Sequence, residues 1–191
     1  DPAIAIDKNG AAHIVYETNC FLKNGRPLSC DMMYVKYVCQ NQQGVIDESS
    51  RKKIGTGANA RLATDSNNNV HIAWDHPGIS GREGVKYNRI ENGNPVWTEG
   101  RLLFANPPGL EKARIAVDGN NEVYVSFQNM PHVSFVHFGA AAFSPSTPAF
   151  PALFSTATNI DDNPDGDGKG VRQCGIATDS QNNIHFSWSH Y

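Results

Sequence analysis

His71 and His76 stand five positions apart in "ATDSNNNVHIAWDHPG", residues 63–78, beside Asp65, Trp74 and Asp75. Imidazole titrates near neutral pH, so either ring is equipped to move a proton or to hold a charged ligand. The stretch recurs: "AIAIDKNGAAHIVYE" starts at Ala3, "RLATDSNNNVHIAWD" at Arg61, "RIAVDGNNEVYVSFQ" at Arg114 and "GIATDSQNNIHFSWS" at Gly175. Asp7, Asp65, Asp118 and Asp179 align. Six residues after them come His13, His71, Tyr124 and His185, and nine residues after them Tyr16, Trp74, Phe127 and Trp188. A group needed once for catalysis has no reason to be installed in every repeat, whereas one that pins a repeated strand does. His13, His71 and His185 are therefore assigned to structure. His76 has no histidine equivalent in the first and third copies and is the candidate for chemistry.

The elements that must position these residues follow from the repeat. Each copy sets one short alternating run against another across a turn rich in Asp, Asn and Gly, the pattern of an antiparallel hairpin. The leading Asp is placed to accept backbone amides within the turn, which accounts for its presence in all four copies. A third run follows at 34–38, 84–90 and 134–138, with "VKY" at 35–37 and 85–87, and a weaker fourth run reads "SRKKIG", "GRLLFA" and "PALFST". Four strands per unit, here named A to D, without helical periodicity predict an all-β chain, a β-propeller of four-stranded antiparallel blades. Blades are expected at 3–58, 59–111 and 112–171 with a half-blade at 172–191, about three and a half blades of a larger propeller. A bare half-blade exposes a strand edge, so the rest of the propeller or a partner chain is expected to complete blade four.

"DSNNNVHIAWD" with "GVKY", and "DSQNNIHFSWS", resemble the repeats of sialidase-like, BNR-type β-propellers, a superfamily of lectins, sialidases, other glycosidases and several polysaccharide lyases. The Asp-box of that superfamily, S-x-D-x-G-x-x-W, is absent, so the resemblance is one of architecture. It implies that the B–C and D–A connections share the ligand face. The B–C connections, 17–32, 75–84, 128–132 and 189–191, carry Asp75, His76, Arg82, His132, His190 and Tyr191, while Arg61 and Arg114 start two inner strands near the mouth of the central channel. Arginine grips carboxylates bidentately, and imidazole and phenol transfer protons. Propeller polysaccharide lyases are thought to join these functions, with an arginine neutralising a uronate and His and Tyr as base and acid. That resemblance makes His76, His132, His190 and Tyr191 the catalytic candidates, and Arg61, Arg114, Asp75, His76 and Arg82 the ligand-binding ones. The eight arginines show no sialidase motif set, and "GTG" at 55–57 is too short for a phosphate loop. A G-x-S-x-G elbow for serine hydrolysis is also missing.

At 161–170, "DDNPDGDGKG" alternates Asp161, Asn163, Asp165 and Asp167 around a sharp turn at Gly166, with Arg172 where an EF-hand needs its final acid. Such oxygen-rich spacing suits calcium, and the alternatives are a calcium site and a solvated acidic turn. Cys20 and Cys30 bracket a turn-rich loop that a disulfide would staple, Cys39 and Cys174 lie towards opposite faces and are not expected to pair, and no CxxC metal spacing exists. Disulfide usage points to a secreted setting, extracellular or periplasmic. The 191 residues are 39% hydrophobic and 18% charged, which suits one globular domain. A net charge of −3 without a basic run speaks against nucleic acid, and no apolar run is long enough for a membrane-spanning helix. The features together predict a secreted propeller segment that binds carbohydrate or an extracellular protein on its loop face. One rival is part of a polysaccharide lyase or glycosidase, which needs an asymmetric cluster such as His76, His132 and His190. The other is a structural assembly subunit, which needs an exposed edge for its partner.

Overall fold

All four aspartate turns close in the same way. The Asp Oδ1 accepts the backbone N–H groups two and four residues on: Asn9 and Ala11 at Asp7, Asn67 and Asn69 at Asp65, Asn120 and Glu122 at Asp118, Gln181 and Asn183 at Asp179, at 2.8 to 2.9 Å throughout. The residue three on is left-handed, Gly10 at φ +80° and Asn68, Asn121 and Asn182 at +62° to +64°. Gly and Asn occupy that region at least cost. The turns join β1 (Ala3–Ile6) to β2 (Ala12–Lys23), the end of β4 (Gln43–Thr64) to β5 (Val70–His76), β9 (Leu110–Val117) to β10 (Glu122–Asn129), and β13 (Val171–Thr178) to β14 (Ile184–His190), each pair antiparallel.

The computed structural model describes residues 2–23, 26–40, 43–76, 84–105, 110–129, 132–140, 157–160 and 171–190. Third strands β3 (Arg26–Gln40), β6 (Gly84–Glu91) and β11 (His132–Gly139) pair with β2, β5 and β10. The outer positions are taken by the first part of β4 on β3, by β7 (Asn94–Pro95) and β8 (Arg101–Ala105) on β6, and by β12 (Thr158–Asn159) on β11. "PALFST" at 151–156 lies outside the described residues. The strand β4 is thus shared, outer in the first unit and inner in the second, and it changes sheets near Asn59, whose φ is +56°. Among the described residues the architecture is all-β and antiparallel, and no helix is long and apolar enough to cross a membrane.

One expected loop is a ladder. Residues 17–23 and 26–32 continue β2 and β3, with Thr18 opposite Asp31 and Lys23 opposite Arg26, and the Cys20–Cys30 disulfide ties the two strands. Cys39, exposed, and Cys174, buried, are free thiols. The repeated "VKY" also misleads about equivalence. By register, His13 faces Lys36 and His71 faces Arg89, so Tyr34 and Tyr87, two residues before them, are the equivalents. Both are 0% exposed, whereas Tyr37 is 38% exposed. A shift of three residues along a strand puts a side chain on the other face.

Strand alternation sorts the core into layers between units. Val15, Tyr34, Ile54, Ile72 and Trp74 pack between the first and second units, and Ala73, Tyr87, Ile115, Phe127 and Phe138 between the second and third. Trp74 is fully buried in a seat that only glycine permits. A Cβ on Gly57 would meet the indole at 2.2 Å, one on Gly100 at 2.3 Å, and Gly100 also has φ +68°. The "GTG" motif therefore serves the tryptophan. The turns of adjacent units are tied as well: Asn121 Oδ1 accepts Ser66 N–H at 2.9 Å, and Asn182 Oδ1 accepts Gly119 N–H at 2.8 Å.

Candidate functional site

The repeated histidines are built into the units. His71 Nε2 lies 3.2 Å from Asp65 Oδ2 and Nδ1 lies 2.7 Å from the Tyr87 hydroxyl; His13 stands likewise between Asp7, at 3.1 Å, and Tyr34, at 2.8 Å. A carboxylate only accepts, so Nε2 carries the proton and the tyrosine O–H donates to Nδ1. Burial keeps His71 neutral at ordinary pH, its pKa falling below 6.5 although Asp65 opposes the shift. Burial also pushes the Asp65 carboxyl up, but hydrogen bonds from His71 and Asn69 outweigh it and hold the pKa at about 2. In the third unit Tyr124 takes the histidine's place and donates to Asp118 at 3.4 Å; in the fourth, His185 contacts Asp179 at 3.1 Å in solvent. With both nitrogens engaged and 0% exposure, His71 has no access to a substrate. The hydroxyl partners Tyr34 and Tyr87 were hidden in the sequence because they are defined only by cross-strand register.

Asp75 is 7% exposed and already bonded, accepting Asn59 Nδ2 at 3.0 Å and the Lys112 and Ala113 N–H groups at 2.9 Å. It fastens the second unit to the inner strand of the third. Glu17 does the same one unit earlier, accepting Asn59 N–H at 2.8 Å. Both follow a turn Asp by ten residues, as does buried Gln128, a periodic signal visible in the sequence.

Arg61 and Arg114 occupy the first strands of the second and third units, opposite Ala73 and Ser126. The strands that carry them, β4 and β9, pack against each other, and the neighbouring first strands are tied likewise, Thr64 Oγ1 donating to Ile6 O and Thr178 Oγ1 to Val117 O. Each guanidinium is half-buried and donates to the carbonyl of the preceding residue, Ala60 at 2.6 Å and Ala113 at 2.9 Å. Among the described residues no carboxylate pairs with either. Burial first, then the neighbouring charge of Arg61, lowers the Arg114 pKa, against the opposing pull of Cys174 and Asp75. Two adjacent cations that repel each other in a half-buried position are relieved by an anion.

His76 is not with them. It ends strand β5 instead of standing in a loop, is half-buried, and shares the side of Trp74 towards the first unit, whereas Arg61 opposite Ala73 faces the third. Its Nδ1 is buried without a hydrogen-bond partner. Burial and then Lys86 lower its pKa, against the Thr56 carbonyl and Glu99. His132 starts β11 opposite Asn129, half-buried. Arg82, Tyr191, the His190 side chain and the expected calcium ligands Asp161, Asn163, Asp165 and Asp167 lie outside the described residues. Among the described residues, the one cluster of three metal-type side chains is Glu17, Cys20 and Cys30, and its two sulfurs are joined in the disulfide.

No protein-family model matches the chain, and no curated protein matches it. Among solved structures it is similar to the α-L-arabinanase of Penicillium chrysogenum complexed with arabinobiose, with a TM-score of 0.52 and 7% identity over 97% of this chain and 74% of that one. It also aligns with the polysaccharide lyase Uly1, with a TM-score of 0.48 and 8% identity over 99% of this chain and 54% of that one. The similarity to the arabinanase is one of fold, a β-propeller type of antiparallel architecture.

Proposed function

We propose that this chain is part of a secreted β-propeller that binds an anionic carbohydrate through Arg61 and Arg114. The observation that carries the reading is the half-buried arginine pair on adjoining first strands, which no carboxylate among the described residues meets in an ion pair and which Asp75, already bonded to Asn59, Lys112 and Ala113, offsets only in part. Desolvated cations of like sign are costly to hold together, and a bound carboxylate or sulfate ester removes the cost. Carbohydrate as the ligand class is supported by the fold shared with an arabinanase whose structure contains arabinobiose. The Cys20–Cys30 disulfide supports a secreted setting. Exposed Ile4 and Ile6 on β1 favour a further blade or partner chain packing there, and calcium at Asp161, Asn163, Asp165 and Asp167 belongs to the same proposal. A calcium-dependent rise in melting temperature, reversed by chelation, is its expected sign.

The test is equilibrium binding of a uronate-rich polysaccharide and of its carboxyl-reduced, neutral counterpart. The anionic polymer is expected to bind, more weakly as salt is raised, and the neutral one to fail. Equal binding of both, or binding of neither, contradicts the proposal.

A further inference from the structure

At the turn end of the second and third units, away from the arginine pair, lies a cavity of about 340 Å³. Arg61 and Arg114 each stand four residues before a turn aspartate, roughly 13 Å along the strand at ~3.3 Å per residue. Asn67 and Asn120 reach it from the aspartate turns. Their backbone N–H groups are committed to Asp65 and Asp118, and both residues line the cavity. Asn69 gives its Nδ2 to Asp65, which leaves its side-chain carbonyl as an acceptor. Glu122 adds a carboxylate that makes no ion pair among the described residues. Arg89, 7% exposed, is held in the wall by Glu91 and by the Ala140 carbonyl.

The lining selects a ligand class. Its carboxylates, Asp65, Glu91 and Glu122, outnumber its one guanidinium, so the wall is negative and rich in acceptors. Among the described residues none that lines it is aromatic, so no stacking platform is offered. The three carboxylates do not converge as metal ligands do, which sets a single ion aside. The volume sits at the small end of ligand sites, which run from about 300 to 1,000 Å³. We infer that this cavity is a second binding site, for a small polyhydroxylated amine of the amino-sugar class. Hydroxyl donors meet the carboxamides and the Asn69 carbonyl, and the ammonium meets Glu122.

Calorimetric titration with glucosamine, glucose and N-acetylglucosamine tests the inference on the whole chain. Saturable binding of glucosamine is expected, with glucose and N-acetylglucosamine, which lack the cation, clearly weaker. Glu122→Gln should weaken glucosamine by about tenfold, the order expected for one charge-assisted hydrogen bond. Asn67→Ala and Asn120→Ala should weaken all three sugars, and Arg61→Ala should leave them unchanged, which separates this site from the proposed anionic one. Melting curves confirm that each variant is folded. Absence of saturable glucosamine binding, glucose binding as tightly as glucosamine, or glucosamine affinity unchanged in folded Glu122→Gln would overturn it.

Discussion

Tyr87, His71 and Asp65 form a chain in which each donor has one acceptor, and that arrangement decides what their removal costs. His71→Ala leaves a buried carboxylate and a buried phenol each short of a partner, and should cost about 1 to 3 kcal/mol in chemical denaturation. The pH dependence follows from the same bonds. His71 has a folded pKa below its unperturbed 6.5, so its contribution is complete above pH 6.5 and is lost as pH falls below it. Asp65, at about 2 when folded and 3.8 unperturbed, adds a second loss as pH falls from 3.8 towards 2. Unfolding curves across this range should show a decline that starts below pH 6.5 and is shallower in His71→Gln; a flat wild-type profile down to pH 4.5 would contradict the assignment. The repeat made the structural role of His71 legible, because the same residue type stood in three of four copies. It did not make Tyr34 legible, because "VKY" aligns Tyr37 with Tyr87 and only register reveals the true pair.

Strands were readable from alternation and turn chemistry, down to the aspartate that opens each hairpin. The pairing of 17–23 with 26–32 was not, because turn-type residues such as Asn-Gly and Arg-Pro do not report where pairing begins. The bulge near left-handed Asn19 lets the ladder run on to Lys23. The disulfide therefore joins strands that are already paired, and replacing Cys20 and Cys30 with serine should cost roughly 2 kcal/mol, the low end for a native bridge. A melting temperature unchanged by reduction would show that the ladder needs no staple. Gly100→Ala is expected to be more damaging, since it adds backbone strain at φ +68° and drives Trp74 from its seat. A loss above about 2 kcal/mol, with red-shifted tryptophan fluorescence, is the expected result.

On the scale of the molecule, the units are linked by a periodic set of polar ties, Glu17 and Asp75 at one end of the strands and Asn121 and Asn182 at the other. Asp75, expected at a ligand, is one of these ties. The all-β architecture of repeated antiparallel units was legible because a repeat constrains every copy at once. Grouping His76 with the arginines was not secure, because which side of a blade a residue faces depends on local bulges, such as the register shift between Ala58 and Arg61. In the function proposed above, the repeated histidine holds the fold while Arg61 and Arg114 hold the ligand. Parallel stability and binding measurements on His71→Ala and on the double variant Arg61→Ala with Arg114→Ala separate the two roles. His71→Ala should melt earlier yet bind the uronate polymer normally at a temperature where it is folded. The arginine variant should melt at the wild-type temperature or above, relieved of like-charge repulsion, and lose salt-sensitive binding. Wild-type affinity in the arginine variant, or lost affinity in folded His71→Ala, would contradict the claim.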